Sequence, residues 1–238
     1  MKYIGSKNRH AKELLSIILK DRKLNQYYVE PFCGGFNIID KVNGNRIAND
    51  KHYYLIELFK AIQNGWIPPD SISFEQYEEI RKNKDNYESF LVGFVGFGCS
   101  FSGKWFGGYA RGNQNNGSPR NYCLESKNNI LKQYSGLQGI EIYNVDYKTL
   151  KIPDYSIIYC DPPYEGTVKY SIKEDFDYNI FWKWCERKVL DGHKVFVSEY
   201  NAPSGWKSVW KKNVKNTLDL NTGAKTGTEN LFVLDEWW

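Results

Sequence analysis

The chain has 238 residues, is 41% hydrophobic and carries 32 basic against 28 acidic residues, a net charge of +4. That size and apolar content predict one domain, or one domain with a sizeable insert, and exclude a disordered or fibrous chain. The mildly basic balance is compatible with a nucleic-acid partner without requiring one.

The cysteines, Cys33, Cys99, Cys123, Cys160 and Cys185, are odd in number, scattered and without a C-x-x-C pair. A disulfide framework and a zinc site are therefore not expected, and a reducing cytosol fits. His10, His52 and His193 are not spaced as ligands, so no metal is expected. The start M-K-Y-I-G-S-K-N-R-H lacks the apolar core of a signal peptide. No stretch approaches the roughly 20 apolar residues of a membrane span. A cytoplasmic protein without a membrane partner is the expectation.

In chain order, residues 8–23 predict a helix with Leu14, Leu15, Ile17 and Ile18 as its apolar stripe. A short strand at 27–29 runs into E-P-F-C-G-G, followed by a helix over 35–42. A second strand at 46–48 ends at Asn49 and Asp50. A helix carrying Tyr54, Leu55, Leu58, Phe59 and Ile62 follows. Strand, glycine turn, helix, strand and acid begin a doubly wound α/β sheet. Residues 64–120 break this rhythm. They hold W-I-P-P-D, a charged helical stretch at 74–88 and a part rich in Gly, aromatic and basic residues, so they read as an insert. Helical patterning returns at 122–134. Strands follow at 140–145 and 157–160, then a helix with Phe181, Trp184, Cys185 and Leu190, and a strand at 194–198. Residues 208–210 and 231–234 suit a closing antiparallel hairpin.

The strand at 157–160 stops at D-P-P-Y, Asp161 to Tyr164. Prolines forbid further pairing and stiffen the backbone. In an open α/β sheet this is where ligands sit. The conjugated amino group of adenine is a poor nucleophile, because its lone pair is delocalised into the ring. A carboxylate at Asp161 and a rigid carbonyl at Pro162 can accept its two N–H bonds and bias it toward a reactive geometry. Pro163 completes the rigid turn. Tyr164 can stack on a base taken out of its duplex. A plain strand-ending turn with an exposed Asp and Tyr is the other reading. Likewise, Gly34 and Gly35 permit close approach of a cofactor at a helix start, or simply join strand to helix. Asp50 can accept ribose hydroxyls, or cap the helix that follows.

Taken together, the residues resemble the Dam-like (D12 class) adenine-N6 methyltransferases. The matching elements are Tyr3-Ile4-Gly5-Ser6-Lys7, Glu30-Pro31-Phe32-Cys33-Gly34-Gly35, Asp50, an insert, Asp146-Tyr147 and Asp161-Pro162-Pro163-Tyr164. They touch most of the chain outside 64–120. The resemblance implies a Rossmann-like class I methyltransferase sheet. Its catalytic core would span 1–63 and 121–238, with a small target-recognition domain at 64–120. It implies S-adenosylmethionine as cofactor and methyl transfer to N6 of a flipped-out adenine in double-stranded DNA, by a monomer or weak dimer. Glu30 and the turn from Pro31 to Gly35 would lie near the methionine part of the cofactor. Asp50 would hold the ribose, Asp146 would meet the cofactor's adenine amino group, and Tyr147 would pack on that ring. Lys7, with Tyr3 and Gly5 before it, would lie near cofactor and target base, and Asp161 would serve both.

The family pattern is not complete. Tyr147 stands where Phe is commoner, and Ser198-Glu199-Tyr200 stands where Ser-Asn is frequent. T-E-N-L at 228–231 resembles a late E-x-L element only weakly. The insert lacks the Asn- and Arg-rich signature associated with GATC, so the target sequence is not implied. Restriction partner, host regulation and phage self-protection all fit. An RNA adenine methyltransferase is an alternative, as is a silent nucleic-acid-binding module of the same fold. A cytosine-N4 enzyme would carry Ser in place of Asp161. Within the insert, residues 99–120 read as a groove-facing hairpin or as a solvated loop. In the first reading Lys104, Arg111 and Arg120 carry the charge, while Trp105, Phe106 and Tyr109 stiffen the base or wedge the duplex. Arg111 is then the base reader and Arg120 the phosphate contact.

Overall fold

The computed structural model describes residues 1–114, 117–164, 176–215 and 226–235. Its centre is a seven-stranded sheet in the order β3-β2-β1-β4-β5-β7-β6. The strands are β1 (Tyr28–Glu30), β2 (Arg46–Asn49), β3 (Ile140–Tyr143), β4 (Ile157–Cys160), β5 (Lys194–Glu199), β6 (Trp206–Lys215) and β7 (Thr226–Leu234). The first five in this series are parallel, and β7 enters antiparallel between β5 and β6. The closing hairpin expected at 208–210 and 231–234 is present, with longer arms and a register shift between Ser208 and Trp210. The chain leaves β1 for β2 and β3 on one side and returns to β4 on the other. The topological switch point therefore lies at the carboxyl ends of β1 and β4, where such sheets bind ligands.

β1, β2 and β4 are buried along their whole length, as parallel strands covered on both faces must be. Successive side chains alternate between two cores. Tyr28, Ala48, Ile157, Tyr159 and Phe196 face one. Val29, Ile47, Ile158, Cys160, Val195 and Val197 face the other. The first face is covered by α1 (Ala11–Ile18) and α2 (Tyr53–Gln63), which bury Leu14 and Ile18, and Leu55, Phe59 and Ile62. The helix predicted to hold Phe181, Trp184, Cys185 and Leu190, here α7 (Tyr178–Leu190), covers the second with Phe181, Trp182 and Cys185. Labels α3 to α6 denote Phe74–Lys82, Ser89–Gly93, Tyr122–Leu131 and Tyr134–Leu137.

One expected element is missing. Residues 35–42 form no α-helix, only a 3-10 turn at Ile39–Lys41. Gly34 and Phe36 have φ of +47° and +56°, which a right-handed helix cannot contain. Phe36 accepts that left-handed backbone while fully buried, its ring stacked on Phe59 at 4.0 Å. The crossover from β1 to β2 is thus a compact loop.

The segment 64–120 contributes no strand to the sheet among the described residues. Its apolar side chains nevertheless join the first core: Ile72, Tyr77, Ile80, Val92, Phe94, Val95, Phe97 and Cys99 belong to one cluster with Leu55, Leu58 and Phe59. Contact with α2 is close, because Gly93 leaves no room for a side chain; a Cβ there would lie 2.1 Å from the Tyr54 carbonyl oxygen.

His52 is the hinge of that contact. Its Nδ1 accepts from the Leu55 N–H and caps α2. Its ring meets Trp105 at 4.4 Å and Phe97 at 4.8 Å. Burial pushes the imidazole from 6.5 down to about 4. The unfolded chain takes up this proton near pH 6.5 and the folded protein only near pH 4, so the contribution is complete above that window and lost as pH falls through it. Between pH 7 and pH 5 this amounts to about 2 kcal/mol. Urea unfolding should show the wild type losing that much more stability over this interval than His52→Asn, whose amide caps without titrating. Equal pH slopes would contradict the assignment.

Candidate active site

Four acids stand at the carboxyl ends of four adjacent parallel strands: Glu30 ends β1, Asp50 follows β2, Asp146 follows β3 and Asp161 follows β4. The sheet brings them to one edge although they span 131 positions, as read from 30 to 161.

Asp161 does not stand alone. Lys7 Nζ lies 3.1 Å from Asp161 Oδ1 and 3.1 Å from Glu229 Oε1. It also donates to the Gly5 carbonyl at 3.2 Å and sits 4.5 Å from the centre of the Tyr164 ring. Lys7 is only 6% exposed, a buried ion-pair partner and not a surface lysine. Burial alone would lower its pKa, but Asp161 and Glu229 outweigh burial and hold it above the ordinary lysine range. Burial raises the Asp161 carboxyl, with Glu229 adding to that and Lys7 opposing it.

Tyr164 is buried at 8% exposure and meets Tyr200 at 4.7 Å in a T-shaped contact. The exposed-tyrosine reading of D-P-P-Y therefore fails: the Tyr200 ring and the Lys7 ammonium already pack on Tyr164. The Pro163 carbonyl is taken by the Tyr178 hydroxyl at 3.0 Å. Pro162 is buried beside it. Residues 165–175 lie outside the described residues.

Glu30 is 2% exposed and accepts a 2.8 Å bond from the Tyr28 hydroxyl. Burial pushes its carboxyl well above the usual range, more than the Tyr28 bond brings it down. No cation forms a salt bridge with it among the described residues. A buried acid of this kind gains most from a ligand cation. Nearby, the Asn37 Nδ2 is buried without a partner. An acid that favours a cation and a free amide N–H that favours a carboxylate fit the amino-acid end of S-adenosylmethionine.

The glycine turn is packed from above. A Cβ on Gly34 would meet Tyr3 Cε1 at 2.7 Å, and one on Gly35 would meet Tyr3 Cβ at 2.7 Å and Asn37 Nδ2 at 2.6 Å. Tyr3, not open space, lies over both glycines. Cys33 is buried, and its N–H donates to the Asn49 carbonyl at 2.9 Å. Pro31 gives its carbonyl to Asn49 Nδ2 at 3.0 Å, and Asn49 also exchanges two 3.0 Å bonds with Val145. Asn49, missed in the sequence, thus ties the ends of β1, β2 and β3 together.

Asp50 accepts from the Gly34 N–H at 3.0 Å through one oxygen and from the His52 N–H at 2.9 Å through the other. The cap of α2 is His52, so the capping role considered for Asp50 is misplaced by two residues. Asp146 accepts from the Lys148 N–H at 2.9 Å, with Lys148 Nζ at 3.6 Å. Tyr147 packs on Phe32 at 5.1 Å and joins Phe176, Phe181 and Trp184 in one aromatic group. Burial pushes its hydroxyl up to about 12. Phe32 therefore faces the aromatic group with Tyr147, its ring tilted 43° to that of Tyr147, and the two form an apolar wall.

In the insert, residues 115 and 116 lie outside the described residues. Lys104 is exposed. Trp105 is half-buried against His52, Tyr54, Phe97 and Phe106, so it is part of the packing between insert and α2. The Tyr109 hydroxyl donates to the Ile72 carbonyl at 2.6 Å. Arg111 is exposed and stacks on Phe74 at 4.2 Å. Arg120 forms a two-pronged pair with Glu125 and lies over Tyr122 at 4.7 Å. Among the described residues no helix is long and apolar enough to cross a membrane. No group of three or more His, Cys, Asp or Glu among them could hold a metal ion.

A family model described as D12 class N6 adenine-specific DNA methyltransferase matches residues 3–92 and 106–219. One solved structure, SMU.472 complexed with SAH and provisionally described as a methyltransferase, aligns over 94% of this chain and 52% of its own. The identity is 10% and the TM-score 0.35, a likeness too distant to speak of chemistry. The chain spans about half the length of that protein.

Asp50→Ala should destabilise the fold as well as the site, because two backbone N–H donors lose a charged acceptor. A loss of about 2–3 kcal/mol is expected. Urea unfolding midpoints of the free protein measure it, and an unchanged midpoint would show that Asp50 does not hold the glycine turn.

Proposed function

Because the chain belongs to the D12 class N6 adenine-specific DNA methyltransferase family, we propose that it transfers a methyl group from S-adenosylmethionine to N6 of a specific adenine in duplex DNA. The observation that carries this reading is the Asp161–Lys7–Tyr164 cluster at the end of β4, close enough to Glu30 at the end of β1 for the two acids to repel. A target-side group and a cofactor-side group share one switch point.

Glu30, Asn37, Asp50, Asp146, Phe32 and Tyr147 would hold the cofactor, which supplies an electrophilic methyl group on a sulfonium. Glu30 takes the cationic amino-acid end, and Asn37 offers its N–H to the carboxylate. Asp50 steadies the glycine turn and is placed for the ribose. Asp146 marks the adenine edge, and Tyr147 with Phe32 gives the ring a wall. Tyr3 and Gly5 bring Lys7 into the site across that turn.

On the target side, an adenine inside a base pair keeps N6 in a hydrogen bond and out of reach, so the base leaves its stack. Asp161 and the Pro162 carbonyl accept the two N–H bonds of the amino group. With both bonds made, the N6 lone pair would localise and be free to take the methyl group that the sulfonium supplies, and the proton that N6 gives up would pass to water by way of the Asp161 carboxylate. Positive charge moves onto N6 in this step, where a fixed carboxylate in a poorly solvated site stabilises it most. Tyr164 stacks on the base.

For DNA, Arg111 is the available reader: exposed, charged and set over the Phe74 ring. Arg120 must open its pair with Glu125 to grip a phosphate. Segment 64–120 serves as the target-recognition unit, mounted directly on α2.

Asp161→Ala should lower kcat for methyl transfer by about 10²–10³ while SAH binding by calorimetry stays within a few-fold. Wild-type turnover in this variant would sink the reading. Transfer to RNA, and none to duplex DNA, by the wild type would redirect it.

Arg111→Ala should relax the target motif at one position by about 1–3 kcal/mol. Sequencing of N6-methyladenine in plasmid DNA from expressing, methylation-deficient cells reads it directly. An unaltered motif would remove Arg111 from recognition.

A further inference from the structure

The ion triad contains one residue that the target-side chemistry above does not use. Glu229 is 9% exposed and stands near the start of β7. Because β7 runs against β5, its first residues lie level with the last ones of β5: Asn230 pairs with Glu199. Glu229 therefore reaches the same edge of the sheet as Asp161. Its side chain lies on the face of Leu231 and Val233, the face that α1 and α2 cover.

We infer that Glu229 is a positioning residue for methyl transfer, sharing Lys7 so that the lysine does not take up the Asp161 carboxylate, which stays free to accept from the adenine amino group. This rests on the proposed methyl-transfer reading. Lys7 paired with Asp161 alone would make a neutral couple, and the lysine would compete with N6 for the carboxylate. One cation at 3.1 Å from each of two carboxylates leaves one net negative charge at the site. That charge is in place before positive charge develops on N6, which is the arrangement that favours the transition state over the ground state. Glu229 also fixes where Lys7 points. The Gly5 carbonyl and the Tyr164 ring hold Nζ in the same place.

The groups facing Asp161 come from every neighbouring element: Lys7 from the N-terminal segment, Glu30 from β1, Tyr159 from β4, Tyr164 from the turn, Tyr200 after β5, and Glu229 from β7, with Glu199 of β5 behind Tyr164 and Tyr200. Lys7 is the one cation in this set. Removing the charge of Glu229 removes a repulsion and tightens the lysine on Asp161. The acid limb of the rate profile then moves to lower pH, and the plateau falls.

The test compares wild type, Glu229→Gln, Glu229→Asp and Asp161→Ala in single-turnover methylation of duplex DNA across pH, with SAH calorimetry as the check on folding. Glu229→Gln should bind SAH within about twofold of wild type. It should lose about 10–100-fold in rate, the range typical of groups that orient a first partner, and shift its acid limb downward. Glu229→Asp should recover part of the rate. In a Lys7→Met background, Glu229→Gln should cost nothing further, since its action runs through the lysine. A wild-type rate and acid limb in Glu229→Gln overturn the inference while leaving the methyl-transfer reading intact. An equal further loss in the Lys7→Met background overturns it as well. Wild-type protein that binds SAH but methylates no nucleic acid overturns the reading beneath it.

Discussion

A single buried ammonium organises the active edge of this protein. Lys7 sits between Asp161 and Glu229 with little water around it. Taking three charges from water is costly, and the mutual attraction returns that cost only when the geometry is held tightly. The triad draws its members from three distant places: the segment before α1, the turn after β4 and the start of β7. Each must be in position for the others to remain buried and charged. Closing the sheet with an antiparallel strand is thus coupled to forming the site, since no parallel strand would present its N-terminal residues at this edge.

Around the triad, backbone groups are bound by side chains and not by secondary structure. Asn49 links three strand ends, and Asp50 links the glycine turn to α2. These bonds matter because the β1-to-β2 crossover has no α-helix to stiffen it. The loop is held instead by left-handed Gly34 and Phe36, by Tyr3 over the glycines, and by Gln133 donating to the Gly35 and Phe36 carbonyls at 3.2 Å. A left-handed Phe costs roughly 1–2 kcal/mol, which burial of its ring against Phe59 offsets.

The insert and the sheet meet through aromatic rings. Tyr3 contacts Phe97 at 5.6 Å, and Phe97 contacts Trp105 and His52. Tyr3 is also the residue over the glycine turn. The insert and the glycine turn therefore pack against the same ring, that of Tyr3.

Glu30 and Asp146 stood out only through the family resemblance, whereas the doubly wound class, the strand positions, the hairpin and the strand-end acids Asp50 and Asp161 were legible in local pattern. They depend on period, on proline and glycine, and on residues a few positions apart. D-P-P-Y and E-P-F-C-G-G announced a site because such residues interrupt a strand for a reason. Three things were decided by the tertiary structure alone. Lys7 became a buried partner and not a solvated one, because two acids, 154 and 222 positions further along, converge on it. Tyr164 and Trp105 went into packing, because neighbours from β5 and α2 cover them. The helix at 35–42 gave way to a loop, because Phe36 gains more from stacking on Phe59 than from continuing a helix. Charge pairing, ring packing and backbone strain are each set by distance in space, and distance along the chain carries no trace of it.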